Sequence, residues 1–350
     1  MLGNGSTRRQ ALKALGGIGA GLGAGLGLGI AGFGSARAGT PVNMGVLRLA
    51  SHAPSYIAVE RGYFAAEGLD VAMRFFEAAQ PMAVAIAAGD VDYGATALSG
   101  ALINLADKGA IKVIGGALKE EKGITGSLIL ASGKAYAAGL TAPAKLPGHS
   151  FGITTAGSSF HYMAYKIAEA NHFPLAQVTL KPLQKLGAVV AAMTSGQIDA
   201  WAVQANVAKK LTTEGGAMKI GLVSEVAPDY QVTVLFASAR NATQERDKTE
   251  RFIRAYAKAI DDYNAAFVDK TSGADEVKAL AAIVHKYLDP DTPADVAFAD
   301  LTDGAMRISK GLAMSMASLT DQLNWFKAEK MVKDTITPEL LFDTSYVKTL

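Results

Sequence analysis

The chain has no cysteine. That excludes disulfides, a thiolate nucleophile, Cys-ligated zinc and a lipid-modified N-terminal Cys in one step, and it suits an oxidising compartment. Charge of one sign is missing too: 34 Lys and Arg against 32 Asp and Glu leave a formal net charge of +2. A nucleic-acid backbone demands clustered Lys and Arg, so no nucleic-acid partner is expected. No Gly-x-Ser-x-Gly elbow, His-Glu-x-x-His helix or Walker lysine loop occurs in the sequence. Ser158, Ser159 and His161 are neighbours, but that spacing at a helix start does not aim a base at a serine. The histidines (His52, His149, His161, His172 and His285) are scattered rather than spaced as ligands. No metal, cofactor or catalytic residue is therefore expected.

What is present begins with a targeting segment. Residues 6–13, STRRQALK, resemble a twin-arginine export signal, followed by a weakly apolar, glycine-diluted run at 14–33. Ala36-Arg37-Ala38 has the small-x-small form of a cleavage site, so residues 1–38 are expected to be removed. As a membrane span the run buries too little apolar area. Gly27, Gly29 and Gly32 match a dinucleotide fingerprint literally, but no strand precedes them and no helix follows.

The mature chain, long enough for two domains, is organised around a stretch that occurs twice. Residues 83–98 read AVAIAAGDVDYGATAL and residues 190–205 read VAAMTSGQIDAWAVQA. Each is an Ala-rich helical run stopped by a glycine, Gly89 or Gly196, and continued as an aliphatic residue, an aspartate and a short strand. Two copies of one helix-to-strand unit predict two similar α/β lobes facing each other. Ligands of open α/β sheets sit beyond the carboxyl ends of strands, so the segments after each aspartate are expected to be opposite walls of one cleft.

Strands are expected at 46–50, 69–76, 90–97, 111–118, 127–131, 150–155, 178–182, 198–203 and 230–238. Residues 119–122, KEEK, read as a solvated surface turn. The chain is expected to cross between lobes near 131–136 and again near 231–234, giving lobe I as 39–132 plus 235–350 and lobe II as 133–234. Beyond the second crossing, 243–268 is an amphipathic helix with Phe252, Tyr256, Ile260, Tyr263 and Phe267 on one face. Residues 274–287 and 293–319 continue helical, the methionines there reading as adaptable core, and 324–350 is expected to pack on the first lobe.

The run GYFAAEGLDV at 62–71, about fifteen residues after a first strand, resembles the signature of ABC-importer solute-binding proteins of the sulfonate, nitrate, taurine and thiamine-precursor group, the NMT1/THI5-like family. The resemblance continues through GDVDYGATALSGA at 89–101, SFGITTAGSSFHY at 150–162 and GQIDAW at 196–201. It implies a type II periplasmic-binding-protein fold, two α/β lobes joined by a two-crossing hinge. It implies further a periplasmic receptor that delivers its ligand to an ABC permease in the inner membrane, working as a monomer. A fungal branch of the fold makes a thiamine pyrimidine with a cysteine-rich iron motif, which this chain lacks. Family members commonly carry Trp and Pro where Gln204 and Asn206 stand, so an aromatic wall is exchanged for an amide.

The strand, Gly-Ser-Ser, helix-start sequence at 150–160 is a physical anion site, because free amides and the helix dipole point outward there. Alone, Ser158 or Ser159 is equally a simple cap; the resemblance favours ligand contact. The first wall is expected to carry Ser51, His52, Gln80, Thr96, Ala97 and Ser99. The second is expected to carry Gly157, Ser158, Ser159, His161, Trp201 and Gln204, with Tyr230 and Gln231 near the hinge. Opposed helix starts without a cleft arginine suit a sulfonate or carboxylate held by neutral donors. A neutral pyrimidine and a secreted enzyme on the same fold are the competing readings.

Overall fold

The computed structural model describes residues 39–288 and 290–350; the expected export signal and cleavage site lie outside the described residues. Ten strands form two sheets: β1 (Thr40–Val46), β2 (Leu69–Phe75), β3 (Tyr93–Ala97), β4 (Ile111–Gly116), β5 (Ser127–Ala131), β6 (Ser150–Ile153), β7 (Thr179–Pro182), β8 (Ala200–Gln204), β9 (Met218–Leu222) and β10 (Thr233–Ser238). The first sheet has the order β2-β1-β3-β10-β4 and the second β7-β6-β8-β5-β9. In each, one strand is antiparallel to both neighbours: β10 in the first and β5 in the second. Each is the strand on which the chain arrives from the other lobe.

The duplicated stretch becomes β3 and β8 with the helices before them, Ala79–Ala87 and Leu186–Thr194. Gly89 and Gly196 both adopt a positive φ, 84° and 68°, which a residue with a Cβ adopts only at a cost. The repeated aspartate has one job in both copies. Asp92 Oδ2 accepts the amide of Asn43 at 2.8 Å, and Asp199 Oδ2 accepts the amide of Ser150 at 2.8 Å, each pair 49 positions apart. The carboxylate thus ties the entry of β3 to β1 and the entry of β8 to β6.

The hinge differs from the sequence expectation. Because β5 pairs with β8 and β9, the first crossing precedes Ser127 instead of following Ala131, and the lobe boundary moves from 132 back to the segment between β4 and β5. There the main chain of 117–120 runs beside 230–233: Ala117 N donates to Thr233 O, and Glu120 N to Tyr230 O. A third segment joins them, since Leu118 bridges to Ile308 and Lys119 N donates to Arg307 O. That pairing needs extended backbone, which is why 293–319 is not one helix but breaks between Ala294–Asp303 and Met316–Ala328.

Glu120, expected in a solvated turn, is fully buried in this hinge. Both its carboxylate oxygens accept the amide of Ser127 at 3.2 Å. The C-terminal region covers the first sheet, with Phe342 bridging to Val113. It also reaches the second lobe, where Trp325 packs on Tyr162 and Tyr165 and Asp321 accepts the Tyr162 hydroxyl. Among the described residues no helix is long and apolar enough to cross a membrane.

Candidate functional site

The parallel strands of both sheets point their carboxyl ends into the gap between the lobes, and a small pocket lies there. Its walls come from Leu47, Leu49, Ser51 and His52 after β1, Glu77 to Ala79 after β2, Thr96 and Ala97 of β3, Thr154 and Ser158 to Phe160 after β6, Leu186 after β7, and Val203 and Gln204 of β8. Val232 and Thr233 close it from the hinge side. The cavity volume is about 60 Å³.

Helix starts dominate this lining. His52, Ala78, Ser158 and Gln204 are the N-cap residues of the helices Ala53–Glu60, Ala79–Ala87, Ser159–Ala170 and Ala205–Thr213, and Leu186 is the first residue of Leu186–Thr194. None of these helices has a side-chain cap on its first amides. The first amides of an uncapped helix have no intrahelical partner and carry the positive end of the dipole, except that in Ala53–Glu60 the Ala53 amide donates to Ala50 O and Pro54 has no N–H. Ser99 makes the contrast, since its Oγ accepts the amide of Leu102 at 3.3 Å and caps Gly100–Asp107. It does not line the pocket.

Two polar side-chain atoms in the lining are buried and have no partner within the protein: His52 Nδ1 and Ser158 Oγ. Burial lowers the His52 pKa to about 3, so its imidazole is neutral near pH 7. Glu77 is the single charged residue among those lining the pocket, and it is exposed. Among the described residues no group of His, Asp and Glu is arranged to hold a metal ion.

Ser51, His52, Thr96, Ala97, Ser158, Ser159 and Gln204 come together in the pocket. The remaining expected residues do not line it. Gln80 is exposed on the first turn of its helix while the preceding Ala78 and Ala79 face the cavity. Gly157 shapes the turn: its φ is 71° and its amide donates to His161 Nδ1 at 3.1 Å. His161 is therefore engaged within its own loop, packs edge-on to Trp325 at 5.0 Å, and has its pKa lowered by burial to about 4. Trp201 is buried one layer behind the cavity, edge-on at 5.3 Å to Phe160, which does line it.

Tyr230 and Gln231 belong to the hinge. Burial raises the Tyr230 pKa, and its ring lies 5.0 Å from that of Tyr162. Gln231 Nε2 donates to the carbonyls of Ala117 and Leu118 at 3.1 Å, stapling the crossing strands. Sequence reasoning missed the apolar part of the wall, Leu47, Leu49, Phe160, Met163 and Leu186. Phe160 and Leu186 sit one or two residues from predicted features, and helix-start position was the available signal.

The two walls touch. Gln204 Oε1 accepts the amide of Ser51 at 3.2 Å, and Gln204 Nε2 donates to Ser51 Oγ at 3.0 Å. The amide that replaces the family's aromatic residue thus bridges the lobes. Gly100 N donates to Gly157 O at 3.2 Å, so the turn after β3 and the turn after β6 abut directly.

Two sheets of this strand order around such a cleft define the type II periplasmic-binding-protein fold, and solved structures agree. A ligand-binding component of an ABC-type import system from Staphylococcus aureus, with zinc bound, superposes with a TM-score of 0.69 at 14% identity, over 87% of this chain and 96% of that one. The alkanesulfonate-binding protein SsuA from Xanthomonas axonopodis pv. citri, bound to MOPS, gives 0.67 at 16% identity over 89% and 99%. The nitrate-binding protein NrtA from Synechocystis PCC 6803 gives 0.60 at 15% over 76% and 69%. Residues 50–266 match the family model described as NMT1/THI5 like, and the chain belongs to that family. No curated protein matches the sequence.

Proposed function

We propose that this protein is an exported, monomeric receptor that binds a small organic oxyanion, sulfonate- or carboxylate-like, between its lobes and delivers it to an ABC permease of the inner membrane. The observation that carries the reading is the convergence of uncapped helix starts on a buried pocket where Ser158 Oγ and His52 Nδ1 lack partners. Each helix N-terminus favours a negative group by about 0.3 to 1 kcal/mol. Buried hydroxyls and amides without partners are costly, and an oxyanion satisfies such donors together. The alkanesulfonate-binding and nitrate-binding proteins of like fold support the anionic class. A ligand that touches both walls favours the closed arrangement, in which the Ser51 and Gln204 bonds also form.

A thermal-shift panel of sulfonates, aromatic carboxylates, nitrate and pyrimidines tests this. A ligand at a hundredfold excess over its dissociation constant adds about 2.7 kcal/mol. The expected result is stabilisation by one oxyanion class. Stabilisation by pyrimidines alone, or steady conversion of a stabilising compound to product, contradicts the proposal.

A further inference from the structure

We infer that the helix Met316–Ala328 is a latch that holds the two lobes together from outside the pocket, with Asp321 and Trp325 as positioning residues for the turn that carries Ser158. The inference deepens the receptor reading, and its effect on ligand affinity rests on that reading.

Three parts of the molecule meet on this helix. Near its start, Ser318 Oγ accepts the Gln231 amide at 2.9 Å and Gln322 Nε2 donates to the Gln231 carbonyl at 3.0 Å, which ties the helix to the hinge. Just past its end, the Met331 carbonyl accepts Asn104 Nδ2 at 3.1 Å and Lys333 pairs with Asp107 at 2.7 Å, which moors it to the lobe I helix Gly100–Asp107. Asp321 and Trp325, one turn apart and so on one face, meet the lobe II helix Ser159–Ala170. Asp321 accepts the Tyr162 hydroxyl and lies 3.4 Å from Lys166 Nζ. The Trp325 ring packs edge-on to His161 at 5.0 Å and to Tyr162 at 5.2 Å, and lies 5.6 Å from Tyr165. None of these residues lines the pocket.

The contact is one that the lobes can part from. Trp325 is buried, yet its Nε1 has no partner within the protein, and a buried donor left unpaired is costly. Separation hydrates that N–H and so recovers part of what the ring contacts supply. What the latch grips is the beginning of the helix whose N-cap is Ser158, and there His161 Nδ1 also accepts the Gly157 amide at 3.1 Å. Asp321 and Trp325 therefore act on the pocket wall through the helix start. A group that favours the closed arrangement without touching the ligand changes the affinity for every ligand by one common factor.

A charge swap tests the latch. Because the chain has no cysteine, Asp70→Cys in β2 and Lys181→Cys in β7 place one spin label at an exposed position on each lobe. Asp321→Lys sets a cation against Lys166, and the distance between the labels should lengthen. Adding Lys166→Glu restores an opposite pair and should return the shorter distance. Titration with butanesulfonate and with nitrate should show Asp321→Lys weakening both by the same factor, about fivefold for an exposed pair, and the swapped pair recovering both. An unchanged distance in Asp321→Lys overturns the latch, as does a lengthening that the swap does not reverse. Weakening of one anion alone overturns it too, since Asp321 would then act on a particular ligand. If neither anion binds, the receptor reading for these oxyanions fails, and the distances alone decide the latch.

Discussion

Ser99 and Ser158 stand at equivalent places, each before a helix that follows a cleft strand, yet they do opposite things. Ser99 Oγ caps its helix and leaves the cleft alone, whereas Ser158 Oγ caps nothing and is buried in the pocket wall. Ser99→Ala should cost about 1 kcal/mol of stability and leave ligand affinity unchanged. Ser158→Ala removes an atom without a partner, so its melting temperature should hold while affinity for an oxyanion falls about tenfold, the worth of one hydrogen bond to a charged group. Paired melting curves and titrations check both. His52 shows the same logic in its titration: with its pKa lowered to about 3, the unfolded chain binds the proton first as pH drops below about 6.5. Its burial as a neutral ring therefore costs stability progressively between pH 6.5 and 3.

Among the elements, the hinge carries a buried carboxyl whose titration bears on stability. Burial raises the Glu120 carboxyl to about 7, partly offset by the Ser127 amide. Folded Glu120 thus holds a proton that the unfolded chain releases near pH 4.5, and the sign is opposite to that of His52. Stability relative to Glu120→Gln is fully present below pH 4.5 and is lost as pH rises through 7, by about 3 kcal/mol over the whole range. Denaturant unfolding of both proteins at pH 5 and pH 8 reads the difference; a constant gap would contradict the assignment. The Ala-rich helices, their glycine stops and the strands after them were legible because each is encoded within about fifteen residues. The hinge was not. Its third segment pairs Ile308 with Leu118, a partner far away in sequence, and KEEK at 119–122 reads as polar only until the Ser127 amide is seen to satisfy Glu120. The same locality explains the site: Thr96 and Ser158 follow from strand ends, while the roles of Gln231 and His161 depend on which distant chain packs against them.

For the whole molecule, the account comes down to two walls that touch. Gly157 sits where they meet, its carbonyl accepting the Gly100 amide at 3.2 Å, and a Cβ there would approach Met331 Sδ at 3.2 Å. Gly157→Ala strains a turn with φ of 71° by about 1 kcal/mol and crowds the contact between lobes without altering a pocket-lining side chain. Small-angle scattering should give the variant a larger radius of gyration than the unaltered protein, and an identical radius would show that the contact does not govern closure. The central claim is that uncapped helix starts from both lobes hold one oxyanion between them. Calorimetric titration of the protein with alkanesulfonates tests it most directly. The account predicts one site per chain, weakened at least tenfold by Ser158→Ala from one wall and by His52→Ala from the other. Binding that survives both substitutions unchanged, or no heat from any oxyanion, would contradict it.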